Sequence, residues 1–541
     1  MSFFKKNKYF LVCCILVAGL VLLSVYEPRS RIPTPEFPTI TTSGGRTYDL
    51  AKYPHISNEI IGLYNYFREV LFSQGVDSFD NIEPSLAGLP VTFGPGADTG
   101  LRYVLSFLAY AMSEMIATTP GYRDPQYYQN TSDWVIQKME SPRVMEYWNV
   151  SGQMAYDGKS FYQYTIDHYP GVPLGDYYGL NYTNIMYRGH WVLMQALYQY
   201  LFNDPKYNFT LTQQCDMLFD EMTNNSHPTH TTPGVTCEPV QLFTQCNSIQ
   251  SLAFKIYDEA LNTSPSNYYS AAARFLEWSL ENMTADGLFV NGINVTKFVA
   301  GNPNHVHDYD SGYTNAWTIA FINAYNQSIA QTLYDKYKPV YVKNHTYPGI
   351  IGEFEFVLED AYAAPYSTDI MEFAWSIVAN GFGIMCAKEM GDTKSLNNIM
   401  NWIESLFPPK WKSNTFYYPT PLFEGLQFVA NAILYWGMQQ DWVTLGNFTQ
   451  RRAPSFWNNQ TYIVDVSDIE NIFINQAYYD ETKTAFLLTC SAAVPGTIHL
   501  TNAENGTVYS AQTSGFTPQY NVENITISIE DPGSYNFVIE F

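Results

Sequence analysis

NIMYRGHWVLMQALYQYLF, residues 184–202, is a long apolar run with helical periodicity and a histidine, His190, set inside it. Similar periodic runs lie at 56–73, 99–118, 247–261, 267–282, 313–326, 369–390 and 424–438. Between them are segments dense in Pro, Gly, Asn and Tyr, such as Pro120–Asp133 and Asn224–Thr236, which read as loops. Helices paired through loops that are long on one side predict a mainly α chain over residues 51–455. The expected shape is an all-α toroid of helical hairpins, its long loops building a mouth over a central cavity.

The pattern changes near residue 460. Residues 461–466, 485–490, 497–501, 507–512, 524–529 and 535–541 are short, β-branched and aromatic, separated by turns such as Asn505-Gly506. They predict a small C-terminal β-sandwich-like module over 456–541. At the other end, Lys5, Lys6 and Lys8 precede Tyr9–Val25, which carries no charge. We expect residues 1–26 to be a signal anchor, in preference to a cleaved signal peptide, with the N-terminus cytoplasmic. Residues 27–50, rich in Pro, Thr and Ser, then read as a stalk. That topology leaves the main domain lumenal or extracellular, and cleavage would give a secreted protein. Acceptor sites for N-glycans agree with it: Asn130, Asn149, Asn181, Asn208, Asn224, Asn262, Asn282, Asn294, Asn326, Asn344, Asn447, Asn459, Asn505 and Asn524.

The 541 residues are 46% hydrophobic, an ordered composition, and carry a net charge of −23, which excludes a nucleic-acid partner because such binders need a cationic face. Aromatic residues make up 16% and fill cores or line cavities equally well. Cys13 and Cys14 fall in the apolar segment; Cys215, Cys237, Cys246, Cys386 and Cys490 remain, an odd number that is no disulfide framework.

The second informative stretch is GVTCEPVQLFTQCN, residues 234–247. Cys237 is followed by Glu238, and Cys246 lies nine residues on. The pair is either a disulfide or two thiols facing one cavity near His190, where a histidine can tune a thiol and move protons. The spacing is not that of a zinc ribbon.

NIMYRGH, followed after about forty residues by CEP and then CN, resembles the linalool dehydratase/isomerase family over roughly residues 56–440. The resemblance implies an (α/α)6 barrel that dehydrates or isomerises a small terpene alcohol without a cofactor or metal. It places His190, Cys237, Glu238 and Cys246 at the active cavity, with tyrosines around them. Tyr187, on nearly the same helical face as His190, is the candidate for positioning the substrate hydroxyl. The family's first helix carries an Asp and a Tyr that reach a neighbouring subunit's cavity, which implies a homo-oligomer. Here that stretch has Arg68 or Glu69 and Phe72 or Ser73, so Glu69 is the candidate replacement for the Asp. The expected chemistry is a lyase or isomerase acting on a small apolar alcohol in a dry aromatic pocket. The cysteines serve as acid and base in an order left open, while Glu238 and His190 orient or relay protons.

Two further clusters compete. HVHDYDSGY, residues 305–313, offers His305, His307, Asp308 and Asp310 as metal ligands, or else a polar loop with Asp310 or Ser311 capping the next helix. Asp310, Tyr313 and Trp317 are candidates for lining the same cavity as the thiols. GEFEFVLED, residues 352–360, holds Glu353, Glu355, Glu359 and Asp360; paired carboxylates in a helical toroid would make a glycoside-active enzyme. A third reading is a non-catalytic glycoprotein that keeps the barrel and closes Cys237 and Cys246 as a disulfide.

Overall fold

The computed structural model describes residues 32–79, 100–122, 125–145, 148, 163, 183–224, 232–238, 240–261, 267–308, 311–345, 353–358, 370–419, 427–441, 463–466 and 471–541. The long helices alternate along the chain between a surface layer and an inner layer. The surface layer holds α1 (Asn58–Phe67, extended by a wider turn to Phe72), α3 (Pro125–Met139), α5 (Asn208–Asn224), α7 (Tyr268–Asn282), α9 (Gln327–Tyr341) and α11 (Thr393–Leu406). The inner layer holds α2 (Leu101–Thr118), α4 (Ile185–Phe202), α6 (Thr244–Ile256), α8 (Gly312–Asn323), α10 (Ile370–Glu389) and α12 (Gln427–Gly437). Each inner helix packs on the next, α2 on α4 and so on to α12, which packs back on α2, closing a ring.

The sequence accounts for the layering. Every residue of α4 is buried, as expected for a helix that is apolar all round. In α11, by contrast, Ser395, Asn398, Ile399, Trp402 and Ile403 are buried while Lys394, Asn397, Asn401 and Glu404 are exposed. Short turns, such as 203–207, 324–326 and 390–392, lead from inner to outer helices. Longer segments, such as 283–311, lead back from outer to inner helices.

The periodic runs read from the sequence recover all six inner helices together with α1 and α7. The same reading passed over α3, α5, α9 and α11, and Pro120–Asp133, expected as a loop, contains the start of α3. Pro125 occupies its first position, where the missing N–H costs nothing and the fixed φ suits a helix.

Four ring helices share a device. The side chain of Asn315 accepts the Phe289 N–H at 2.9 Å and donates to the Phe289 carbonyl at 2.8 Å. Asn247 does the same to Val235 (2.9 and 3.0 Å), Asn380 to Val357 (2.8 and 3.0 Å) and Asn431 to Tyr418 (2.8 and 2.9 Å). Each asparagine thus clasps the segment entering its own helix, satisfying backbone groups that burial would otherwise leave without partners. Close approach at the helix start also needs glycine: a Cβ on Gly312 would lie 1.9 Å from the Leu358 carbonyl oxygen.

Residues 32–50, expected as part of a stalk, instead hold a hairpin of β1 (Thr39–Thr41) and β2 (Thr47–Asp49). Its Ile40, Tyr48 and Leu50 are buried against Ala485, Leu487 and Val538, and the Tyr48 hydroxyl donates to Glu540 at 2.7 Å. Apolar side chains at alternate positions (Ile40; Tyr48 and Leu50) give that short stretch a face to bury. The C-terminal region forms two four-stranded antiparallel sheets, made of β3 (Ile463–Val466), β4 (Ile472–Asp480), β5 (Ala485–Ala492), β6 (Gly496–Thr501), β7 (Thr507–Ser510), β8 (Phe516–Tyr520), β9 (Ile525–Ile529) and β10 (Gly533–Glu540). One sheet runs β3-β6-β9-β8 and the other β4-β5-β10-β7. The second packs against the helical part: Gly121 donates to Ala477, and Ile56 to Asn475.

The apolar segment Tyr9–Val25 lies outside the described residues. Among the described residues no helix is long and apolar enough to cross a membrane.

Candidate active site

Cys246 is the third residue of α6 and Cys237 lies in the loop before it. That loop is pinned to the start of α4. The Asn184 N–H donates to the Cys237 carbonyl (2.9 Å) and the Ile185 N–H to the Thr236 carbonyl (3.1 Å). A tight turn follows, in which the Cys237 N–H reaches Gln241 and Val240 adopts a left-handed φ of 60°. Such a conformation is costly for a β-branched residue and is held here by the surrounding bonds. Asn247 completes the frame by clasping Val235. The two sequence motifs, NIMYRGH and CEP-to-CN, are therefore one unit in space.

Both thiols are free and buried. Cys237 and Cys246 lie close enough for each to perturb the other's ionisation. Burial is the main cause that raises both thiol pKa values; the neighbouring thiol raises that of Cys237 further and works against the rise at Cys246. Cys246 also lies in the first turn of α6, where its own backbone N–H and the helix dipole favour negative charge. The Glu238 carboxylate opposes ionisation of both sulfurs, while the buried Arg102 guanidinium promotes it.

Arg102 and Tyr103 open α2. The guanidinium lies over the Tyr103 ring at 4.4 Å and donates to its hydroxyl at 3.1 Å. From the same helix Phe107 and Tyr110 face His190. Tyr110 Oη and His190 Nδ1 share a hydrogen bond of 2.7 Å. Burial, aided by Arg102, holds the His190 pKa well below the ordinary value, so the imidazole is neutral at neutral pH. His190 Nε2 meets no protein partner. Around it stand the rings of Tyr103 (6.0 Å), Phe107 (5.9 Å) and Trp317 (5.8 Å), and Phe382 stacks on Trp317 at 4.4 Å. Gln245 reaches the Tyr313 hydroxyl at 3.4 Å, which itself donates to Asn291 at 3.0 Å.

The structure thus brings together His190, Cys237, Glu238, Cys246, Tyr313 and Trp317. Tyr187 is placed differently: its ring packs on Trp191 and its hydroxyl donates to the Met139 carbonyl at 2.9 Å. Glu69 is exposed on the turn that extends α1. Asp310 lies outside the described residues, and Ser311 caps α8, accepting the Thr314 N–H at 3.2 Å. His305 is turned outward against Phe298 and the Asn302 carbonyl. Glu353 is exposed and paired with Lys394 at 3.0 Å, Glu355 is buried, and Glu359 and Asp360 lie outside the described residues. The sequence reading missed Arg102, Tyr103, Phe107, Tyr110, Gln245 and Phe382. Tyr103, Phe107 and Tyr110 were findable, since their spacing puts three aromatic rings on one face of a helix. A separate apolar pocket, lined by Val378, Gly381, Trp402, Phe407, Tyr418 and Ile433, shares no residue with this cluster.

The family profile of linalool dehydratase/isomerase matches residues 102–421, more than half of the chain and the part that contains every residue of the cluster. The chain belongs to the linalool dehydratase/isomerase family. Among solved structures it is similar to a family 76 glycoside hydrolase (mannosidase) from Bacteroides thetaiotaomicron. That match has 10% identity over 64% of this chain and 86% of that one, with a TM-score of 0.35. A second family 76 glycoside hydrolase, from a bovine strain of the same species, matches at 10% identity over 62% of this chain and 68% of that one, with a TM-score of 0.36. In the linalool dehydratase/isomerase-like chain described here, the profile match begins at Arg102, the first residue of the buried cluster.

Proposed function

We propose that this chain is a cofactor-independent lyase or isomerase that dehydrates or rearranges a small apolar allylic alcohol, with Cys237 as the acid and Cys246 as the base. One observation carries the reading: two free, buried thiols that perturb each other's ionisation stand against Tyr103, whose ring faces a neutral histidine in an aromatic enclosure. Cys237 gives its proton to the hydroxyl oxygen as the C–O bond breaks and water leaves. The Cys246 thiolate takes a proton from the carbon beside the allylic centre, and that C–H pair becomes the new double bond. Cys237 is then a thiolate and Cys246 a thiol. Transfer of one proton from Cys246 to Cys237 restores the starting state. Arg102 balances the single negative charge of the pair, and apolar rings keep water from trapping a cationic intermediate.

The test is turnover of linalool, with diene and isomeric alcohol products followed by gas chromatography. Cys237→Ser and Cys246→Ser should each lower kcat by ~10²–10⁴-fold, the contribution typical of a positioned acid or base. Variants that retain wild-type turnover would sink the two-thiol scheme.

A further inference from the structure

Trp317 carries a feature of the enclosure that proton transfer between sulfurs does not use. Its indole is almost fully buried on α8, stacked on Phe382 at 4.4 Å and edge-on to Phe107 at 5.8 Å. Its Nε1–H meets no protein acceptor. An indole nitrogen donates only, so a ligand satisfies it only by presenting an acceptor. Burial without such a partner is costly enough that most buried polar groups find one. Two other atoms in the same enclosure, His190 Nε2 and Gln245 Oε1, are likewise buried without a protein partner. Gln245 reaches Tyr313, one helical turn before Trp317, so donor and acceptor lie on adjoining parts of one wall. A hydroxyl is the small group that can answer both, accepting from the indole and donating to the amide oxygen. Tyr187, the residue expected to hold that hydroxyl, has its own hydroxyl bonded to Met139.

We infer that the Trp317 N–H receives the substrate's hydroxyl oxygen, making Trp317 the residue that selects an oxygenated ligand over a hydrocarbon of the same skeleton. The inference rests on the alcohol substrate proposed above and adds the group that recognises it. Trp317 is a positioning residue: it orients the C–O bond towards the Cys237 proton.

Equilibrium binding of volatile ligands, measured by headspace depletion over the full chain, tests it. The probes are linalool and dihydromyrcene, which has the same carbon skeleton without the oxygen. Trp317→Phe keeps a ring on Phe382 and removes the N–H. It should weaken linalool by about 10-fold, the range of a neutral buried hydrogen bond, and change dihydromyrcene by less than about 2-fold. Phe382→Leu keeps the N–H and removes the stacking partner, so it should weaken both ligands alike. Where Trp317→Phe does not fold, replacing the indole by its benzothiophene isostere removes the N–H alone and should give the same split. Equal loss of both ligands, or unchanged linalool binding, overturns the inference. The measurement needs no turnover. A chain that prefers linalool through Trp317 yet never dehydrates it sinks the two-thiol reaction and leaves this inference standing. A wild type that binds neither ligand sinks both.

Discussion

Arg102 is a buried cation whose neighbours are two thiols, a histidine and a tyrosine, and each feels it in a definite direction. It lowers the thiol pKa values, working against burial, and lowers that of His190, working with burial. The Cys246 pKa nevertheless stays above the ordinary thiol value, so thiolate is the minor form at neutral pH. The base is therefore recruited as pH rises, and kcat/KM should still be climbing beyond the ordinary thiol value of 9.0, where a histidine base would already have reached its plateau. Arg102→Gln removes the cation, raises the Cys246 pKa further and should move that limb up by about one pH unit. The expected result is ~10-fold lower activity at neutral pH with recovery in alkaline buffer. A uniform loss at every pH would show that Arg102 only packs against Tyr103. This residue was illegible in the sequence because its role depends on α2 and α6 both packing on α4, contacts between distant segments. Cys237 and Cys246 were legible because their spacing in the chain is also their pairing in space.

At the scale of the element, the asparagine clasps explain why the ring holds its long entry segments in register. Each one replaces two backbone bonds that a loop packed inside the molecule could not otherwise make. Asn315→Ala would leave the Phe289 N–H and carbonyl buried without partners, costing ~2–4 kcal/mol, and urea denaturation should show the lowered midpoint. A shift below about 0.5 kcal/mol would mean the entry segment settles elsewhere. Asn247→Ala should cost as much and also lower turnover, since Val235 lies two residues before Cys237. The clasps escaped the search for repeats because they recur at intervals of 68, 65 and 51 residues, set by loops of unequal length. The same logic separates the helices that were legible from those that were not. Inner helices such as α4 are apolar on every face and announce themselves. The outer helices α3, α5, α9 and α11 mix Tyr, Asn, Gln and Thr with a narrow apolar stripe, and their stability comes from packing on the ring more than from local preference.

For the whole molecule, the question is whether the β-sandwich is a passenger or part of the helical fold. Asn475 on β4 accepts the Ile56 N–H through its carbonyl, and its side chain donates to the Ile56 carbonyl at 3.1 Å and to Asn58 at 2.9 Å. Gln476 beside it is fully buried and donates to the carbonyls of Leu50 (3.1 Å) and Pro54 (3.2 Å). Trp411 stacks obliquely on Phe473 at 6.0 Å, and a Cβ on Gly121 would meet Phe486 at 2.9 Å. These contacts reach the start of α1 and the turn after α2, so the sandwich braces the two elements that open the ring. All 11 tryptophans lie at or before residue 457, so tryptophan fluorescence, Trp411 against Phe473 apart, reports the part of the chain before β3. A substitution inside the sandwich can therefore be read from outside it. Gln476→Ala removes the buried side-chain donor to the Leu50 and Pro54 carbonyls and should cost ~1–3 kcal/mol. If the sandwich and the ring unfold as one unit, that cost appears in full as a lower denaturation midpoint by tryptophan fluorescence, with one transition. If the sandwich were an independent module, the fluorescence midpoint would stay where it is and only the far-ultraviolet β signal would move. The density of bonds from β4 to residues 50–58 favours the first outcome.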